Sequence, residues 1–461
     1  MNKRKMSRRG ALKLIGTGAA GAVLTACTPG ATSTAPTAAS VAQAAPVTLT
    51  VLSSSGGRWE FPQKGVLATF QKKHPNININ FDTSKVGEDI SAKIALVLSS
   101  GSDAYDIIYN DYSPVIEYVS GGTIMSLQGM IDEDPAFKES LKDIPEGVLD
   151  LYRDKPAKEG GTLYGIAPDS NCQMTYYRTD VFEKAGIKKL PETWEVAIDT
   201  AKELTGGGQY GFGTGLSTGT FAWLGYQTVF WTTGKEVYDK EYRVQIDSDE
   251  GRMALEWLVE LVKYGYPGIL SATDDEANSA LINGQVVYAP LQWGNSVATS
   301  KEYSPQYWDK ISAGSTPKAS TPNGRFSAAM GGHGMIIPKA STKNLDAAWK
   351  WLKFCCSDEA GDEWVANTGQ PARTSVLKRN LQVQPYFQGL MESLPFAHRF
   401  LPIPENGQIW TQAGTIVSQG LTGQLSVDET VKAMQKAITD IMNAGGYYKT
   451  GLYHLGGLNK A

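Results

Sequence analysis

Four histidines, His74, His333, His398 and His454, are scattered through the 461 residues without the spacing a metal ion needs, and no Cys-x-x-Cys pair accompanies them. Neither a metal centre nor another cofactor is expected. Gly215-Leu216-Ser217-Thr218-Gly219 has the letters of a nucleophile elbow. That device needs a strand directly before it and a helix directly after, and the flanks here are rich in glycine and threonine, so it reads as a loop. Gly206, Gly208 and Gly211 match a dinucleotide fingerprint in spacing. They follow a helical stretch and lead into a strand, the reverse of the order that fingerprint requires. Asp274 and Asp275 could supply paired carboxylates for glycosidic cleavage, but adjacent acids usually face solvent. No catalytic residue set emerges.

Aromatic side chains beside amides and carboxylates are abundant. Trp59, Tyr112, Trp223, Trp231, Trp293, Trp308 and Trp410 are expected in loops or at loop edges. Trp59 is followed by Glu60, Tyr112 is preceded by Asp111, and Trp293 lies between Gln292 and Asn295. A pyranose offers flat C–H faces to an indole, and its hydroxyls both donate and accept hydrogen bonds, which carboxylates and amides satisfy in pairs. Core packing remains the competing explanation for any single tryptophan.

The elements that must position these groups alternate in type. Val47, Leu49 and Val51 alternate with threonines as a strand that runs into the turn-rich 53–57. A helix is expected over 64–73, a strand through Ile77, Ile79 and Phe81, a helix over 87–99 and a strand over 105–109. The rhythm returns with a strand at 175–177, a helix near 195–204 and a strand at 210–213. Such alternation predicts a parallel sheet covered on both faces. Farther on, Met253, Trp257, Leu258, Leu261 and Val262 form one helical face. Ser426 and Glu429 form a capping box ahead of Val431, Met434, Ile438 and Ile441, with Gly445 ending that helix.

The N-terminus reads as an export signal. Lys3, Arg4, Lys5, Arg8, Arg9 and Lys13 precede an apolar run over 14–24 that is too short to span a bilayer, which takes roughly 20 residues. Ser7 to Lys13 reads as a twin-arginine signal, with Ala11 where a large apolar residue is usual. Leu24-Thr25-Ala26-Cys27 resembles the lipobox of bacterial lipoproteins, which implies lipidation of Cys27 as the mature N-terminus and an extracytoplasmic, membrane-anchored protein. Residues 28–46 contain neither charge nor aromatic and cannot bury enough surface to fold. As a coil of about 19 residues they span on the order of 25 Å, a tether. Without residues 1–26 the chain carries 37 basic and 47 acidic side chains, net −10, which argues against nucleic-acid binding. Cys172, Cys355 and Cys356 are an odd number for a disulfide framework; Cys355 and Cys356 fall on apolar helical stripes with Trp349, Trp351 and Leu352.

Five stretches together resemble the extracellular solute-binding proteins (family 1) of carbohydrate ABC importers, in lipoprotein form. They are Phe70-Gln71-Lys72-Lys73-His74-Pro75-Asn76-Ile77; Tyr105-Asp106-Ile107-Ile108-Tyr109 with Gly121, Gly122 and Leu127; Leu163 to Asp169 with Tyr176-Tyr177-Arg178 and Val181 to Gly186; Ile282 to Val287; and Gly331 to Pro338 with Ala347, Ala348, Trp349 and Phe354. The resemblance implies an α/β, two-lobed periplasmic-binding-protein-like fold with three inter-lobe crossings and a central ligand cleft. Matching its motifs gives a signal peptide at 1–26, a lipidated cysteine and linker at 27–46, lobe one at 47–167 plus 288–337, and lobe two at 168–287 plus 338–461. The crossings are then expected near Ala167, Tyr288 to Ala289 and Pro338. A crevice at the carboxyl ends of parallel strands is also where an open α/β sheet binds ligands.

The ligand contacts that the resemblance implies are Trp59, Glu60, Asp111, Tyr112, Asp169, Asn171 and Trp293, to which Trp223, Trp231, Asn295, Gly332, His333 and Arg373 are added. Asp111 and Asp169 are the expected partners of sugar hydroxyls; Trp223, Trp231 and Trp293 are the stacking candidates. The implied protein is a monomeric receptor for a sugar, by its aromatic richness an oligosaccharide. It is not an enzyme, and its partners are the importer's permease subunits and, through Cys27, the membrane. The alternatives are a polyamine or phosphate ester in the same fold, and an exported glycan hydrolase.

Overall fold

The computed structural model describes residues 45–55, 60, 62–85, 88–111, 115–294 and 296–450. Two five-stranded sheets form within it. The first contains β1 (Val47–Ser55), β2 (Ile77–Lys85), β3 (Ile107–Asp111), β4 (Gly165–Ile166) and, from far along the chain, β9 (His333–Ile336). The second contains β5 (Asn171–Arg178), β6 (Tyr288–Trp293), β7 (Ile311–Gly314), β8 (Ala328–Gly331) and β10 (Ala397–His398).

In the first sheet the order is β2-β1-β3-β9-β4. Leu49, Val51 and Leu52 of β1 are all buried, as a central strand covered on both faces requires. Val66 and Phe70, four residues apart, bury one face of the helix Gly65–Lys73. Phe70 meets Trp351 edge-on, ring centroids 5.0 Å apart, which ties this helix to the later helix Leu345–Cys355. The buried Asp106 carboxylate accepts from the Thr50 N–H at 2.8 Å and from Asn344 Nδ2 at 3.0 Å, joining the strands to the start of that later helix.

The expected parallel sheet is only half present. β1 runs parallel to β2 and β3, but β9 is antiparallel to both β3 and β4. The cause is the connection. β9 follows β8 through the single residue Gly332, so it enters the first sheet from the other one, at the carboxyl end of β3, and must run backwards beside it. In the second sheet β5 is antiparallel to β6, β7 and β8. The strand expected at 210–213 is reduced to isolated bridges, Tyr210 with Val286 and Phe212 with Gly265.

The expected assignment of 288–337 to the first lobe is corrected by the same pairings. Tyr288 and Ala289 lie opposite Tyr177 and Tyr176, and β7 and β8 also pair with β5, so 288–331 is bonded to the second sheet. Only β9 returns to the first. Pro338 is not a crossing either, because the next stretch stays with the first sheet: Lys339 N–H donates to Thr123 O at 2.9 Å. Thr69 of the first helix donates to Glu363 at 2.9 Å, so the helix Asp358–Ala366 stays there too. The chain leaves the first sheet at 370–372, where Pro371 bridges Asp169 and Ala372 N–H donates to Pro168 O at 2.9 Å.

The helices follow their local signals. Ser426 and Glu429 form the expected reciprocal cap on Val427–Ala444, with Val431, Met434, Ile438 and Ile441 buried and Gly445 at its end. Cys172, Cys355 and Cys356 are buried and unbonded to one another.

Candidate ligand-binding site

The three connections between the sheets, at 167–170, at Gly332 and at 370–372, converge on Asp169. Its carboxylate is 1 % exposed. Oδ1 accepts the backbone N–H of His333 at 2.6 Å, and Oδ2 lies 2.8 Å from His333 Nδ1. The Asp169 backbone bridges Pro371, and Ser170 N–H donates to Gln370 O at 3.3 Å. One acid thus ties all three connections together.

On the first-sheet side His333 sits directly opposite Asp111, at the carboxyl end of β3. Opposed residues of an antiparallel pair share a face. The His333 Nε2 to Asp111 Oδ2 distance is 3.8 Å, longer than a hydrogen bond, and the Asp111 carboxylate is 43 % exposed. The Tyr109 ring, two residues earlier on the same face, meets His333 edge-on at 6.4 Å. Tyr152 hydroxyl donates to Asn110 O at 2.9 Å and supports this strand end from behind. Its ring fills the space beside Gly334, where a Cβ would sit 2.4 Å from Tyr152 Cζ.

On the second-sheet side Asn171 opens β5 and Trp293 closes β6. Gly331 faces Asn171 in the strand pairing, and a Cβ there would lie 2.1 Å from Asn171 Oδ1 and 2.9 Å from Trp293 Cζ3. The indole is half-buried. Next to it, Gly294 N–H donates to Cys172 O at 2.9 Å, while Gly294 O accepts Gln370 Nε2 at 3.1 Å. Gln370 is held in turn by the Tyr386 hydroxyl, which donates to its Oε1 at 3.1 Å. Asn171 is 3 % exposed, and its Oδ1 has no hydrogen-bond partner among the described residues. Ser170 Oγ, completely buried, is in the same condition. Each such orphaned group costs about 1–3 kcal/mol.

The structure therefore brings together Asp111, Asp169, Asn171, Trp293, Gly332 and His333 from the sequence-based set. Glu60 is half-buried at the entry to the helix Gly65–Lys73, where its carbonyl accepts Lys64 N–H. Trp59, Tyr112, Asn295 and the lipidation candidate Cys27 lie outside the described residues.

Three expected contacts are placed elsewhere. Trp223 and Trp231 are not at loop edges; both belong to the helix Thr220–Thr232, 1 % and 3 % exposed. This helix is apolar all round, and core packing accounts for both indoles. Trp231 stacks on His398 with centroids 4.8 Å apart and lies against Phe400 at 5.8 Å. Arg373, just past the connection at 370–372, is engaged by groups on the first-sheet side: its Nε lies 3.1 Å from Asp143 Oδ2 and 2.5 Å from Asp358 Oδ1, and Nη1 donates to Cys356 O at 3.0 Å. Its guanidinium is already shared between two carboxylates.

Sequence reasoning passed over one further feature. A recess is lined by Ile116 and Leu151, from segments beside the first sheet, and by Arg399, Phe400, Leu401, Pro402, Asn406 and Trp410, from the chain after β10. Phe400 and Trp410 meet edge-on at 5.0 Å. Trp410 was visible as an aromatic, but nothing local signals that residues nearly 300 positions apart would face each other.

A two-sheet α/β molecule whose chain passes between its sheets at one acid, with aromatic and amide groups gathered there, has the architecture of a ligand-binding receptor. Residues 60–362 match the bacterial extracellular solute-binding protein family, and the chain belongs to it. It is 25 % identical over 411 residues to the mannitol-binding protein of Pseudomonas aeruginosa, covering 82 % of this chain and 90 % of that one. It is 24 % identical over 328 residues to the maltodextrin-binding protein MdxE of Bacillus subtilis, covering 65 % and 73 %. Among solved structures, maltose-bound T. maritima MalE3 superposes with a TM-score of 0.75 at 22 % identity, covering 86 % of this chain and 99 % of that one. A mannitol-bound solute-binding protein from Agrobacterium vitis gives 0.70 at 22 % identity, covering 86 % and 99 %. These likenesses fix the two-lobed fold. No helix among the described residues is long and apolar enough to cross a membrane.

Proposed function

We propose that this protein is a lipid-anchored receptor that captures a sugar or sugar alcohol between its lobes and passes it, unaltered, to the permease of an ABC importer. The observation that carries the reading is the orphaned acceptor Asn171 Oδ1 beside the half-buried Trp293 indole at the passage between the sheets. A polyhydroxylated ligand supplies what that corner lacks: an O–H donor for the acceptor and C–H faces for the ring. Relatives named for mannitol and maltodextrin support the same ligand class.

The lobes follow the sheets. Lobe one comprises 45–167 plus 333–369, and lobe two 170–331 plus 372–450, with hinges at the three convergent connections. A ligand touching Asp111 and Trp293 at once contacts both lobes and so favours the closed state. Anchoring rests on the lipobox at Cys27 and the charge-free 28–46.

The test is a thermal-shift and calorimetry panel of hexitols, mono-, di- and oligosaccharides, with a polyamine and a phosphate ester as competitors. A ligand at 100 times its Kd adds about 2.7 kcal/mol of stability. Stabilisation by a polyol or sugar, recovered unchanged after incubation, is the expected result. A shift with the polyamine or phosphate ester alone, or release of hydrolysis products, refutes the reading. Cys27→Ala is expected to move the protein from the membrane fraction to the soluble one.

A further inference from the structure

The strand that presents Trp293 is interrupted just before it. Tyr288 and Ala289 of β6 pair with Tyr177 and Tyr176, while Gln292 and Trp293 pair with Met174 and Gln173, so two residues of β6 lie opposite one of β5 between the two runs. Pro290 is one of those two, and it has no N–H to give to the ladder. A bulge of this kind bends a strand and re-aims the side chains beyond it. Trp293 thus ends a two-residue run that the bulge separates from the rest of the pairing. Gly294, next along, is tied on both sides: its N–H donates to Cys172 O at 2.9 Å, and its carbonyl accepts Gln370 Nε2 at 3.1 Å. Gln370 is 3 % exposed and stands on the third connection between the sheets. Its Oε1 accepts the Tyr386 hydroxyl at 3.1 Å, which leaves the amide one way to face Gly294, with its N–H forward.

We propose that Gln370 is a positioning residue: reaching from the third connection, it pins the Gly294 carbonyl, holds down the bulged end of β6 and so fixes the Trp293 indole for stacking on the ligand. Gln370 itself does not touch the ligand. The proposal deepens the sugar-receptor reading and rests on it for what the ring stacks on. Trp293 lies opposite Gln173, two residues from Asn171 on β5, so indole and amide share a face of the sheet. The ring reaches across that face to Gly331, where a Cβ would lie 2.9 Å from its Cζ3. A ring set that close to backbone keeps its place only while the strand end beneath it stays still.

The experiment is fluorine NMR of the intact, unliganded protein labelled with fluorotryptophan, the Trp293 signal being assigned by its loss in Trp293→Phe. Gln370→Met keeps the length of the side chain and removes its hydrogen bonds. In that variant the Trp293 signal is expected to move or broaden, while those of the fully buried Trp194, Trp223 and Trp351 stay in place. Affinities for D-mannitol and maltose are then measured in a double-variant cycle. Gln370→Met is expected to weaken whichever of them binds by about threefold to tenfold, the size of one hydrogen bond. In the Trp293→Ala background the same change is expected to weaken binding no further. A Trp293 signal unmoved by Gln370→Met overturns the proposal, and so does an affinity loss that multiplies with that of Trp293→Ala. Should Gln370→Met not fold, Gln370→Glu carries the same test, because it keeps an acceptor for the Tyr386 hydroxyl and has no N–H for Gly294. If neither variant folds, Gln370 serves the scaffold and the proposal falls. If no sugar binds the wild type, the receptor reading fails, and the stacking with it. The fluorine spectrum still decides whether Gln370 sets the ring.

Discussion

Gly331 and Asn171 face each other across β8 and β5, and the asparagine's Oδ1 occupies space that a Cβ on residue 331 would enter to 2.1 Å. Trp293 Cζ3, at 2.9 Å from the same position, leaves no route of escape. Gly331→Ala must therefore push the amide and the indole out of register while leaving both strands paired. The expected result is at least about a tenfold loss of ligand affinity with a stability loss of only about 1–3 kcal/mol, the usual cost of an overpacked site. Calorimetric titration beside thermal unfolding checks it. Retained affinity would remove Asn171 and Trp293 from the site.

Two tryptophans that look alike in sequence should separate sharply. Trp223 is a core side chain against Tyr226, centroids 5.9 Å apart, so Trp223→Ala is expected to cost about 3–5 kcal/mol of stability. Trp293, half-buried at a strand end, should behave the other way. Trp293→Ala is expected to cost more than about 1 kcal/mol of binding with little change in melting temperature. Denaturant unfolding and ligand titration of both variants form the test, and a reversed pattern would move the site to the helix Thr220–Thr232.

Arg373 is a pin, not a ligand contact. Asp143, beside the first lobe's helices, receives both this guanidinium and Ser375, whose N–H donates at 3.0 Å and whose hydroxyl donates at 2.6 Å. Arg373→Ala is expected to lower stability by about 1–3 kcal/mol, the loss of charged hydrogen bonds. Binding should change less than twofold. A large affinity loss at unchanged stability would restore the arginine to the cleft.

What could be read in advance followed physical range. The strand through Val47, Leu49 and Val51, the helix with Val66 and Phe70, and the Ser426–Glu429 cap are written in neighbours two to four residues apart, and all three formed. Lobe membership is not local. Tyr288 and Ala289 carry no mark saying whether they pair with β5 or with β3, and the choice depends on the return of β8 and β9 through Gly332. Asp111, Asp169, Trp293 and His333 were singled out because carboxylate, indole and imidazole are recognisable types beside family motifs; the structure pairs Asp169 with His333 and sets His333 opposite Asp111. The engagement of Asp169 by His333 was hidden by a separation of 164 positions. Trp223 and Trp231 misled because an indole suits core and cleft alike. Only the all-round apolarity of their helix tells them apart.

Asp134 allows a test of the scaffold by pH. It caps the helix Pro135–Ser140, accepting Phe137 N–H at 3.0 Å, and it receives Lys353 Nζ at 2.6 Å from the helix Leu345–Cys355. The Lys353 ammonium, and after it the Phe137 N–H, hold the Asp134 carboxyl below its ordinary value of 3.8. A lowered folded value means that the folded state favours the charged form. The contribution is therefore complete above the ordinary value and is lost as pH falls through the lowered one. Asp134→Ala is expected to cost about 1 kcal/mol from pH 7 down to about 4, typical of a lost cap, with the gap to wild type closing below that. Urea unfolding at stepped pH measures it, and a gap that widens on acidification would contradict the sign.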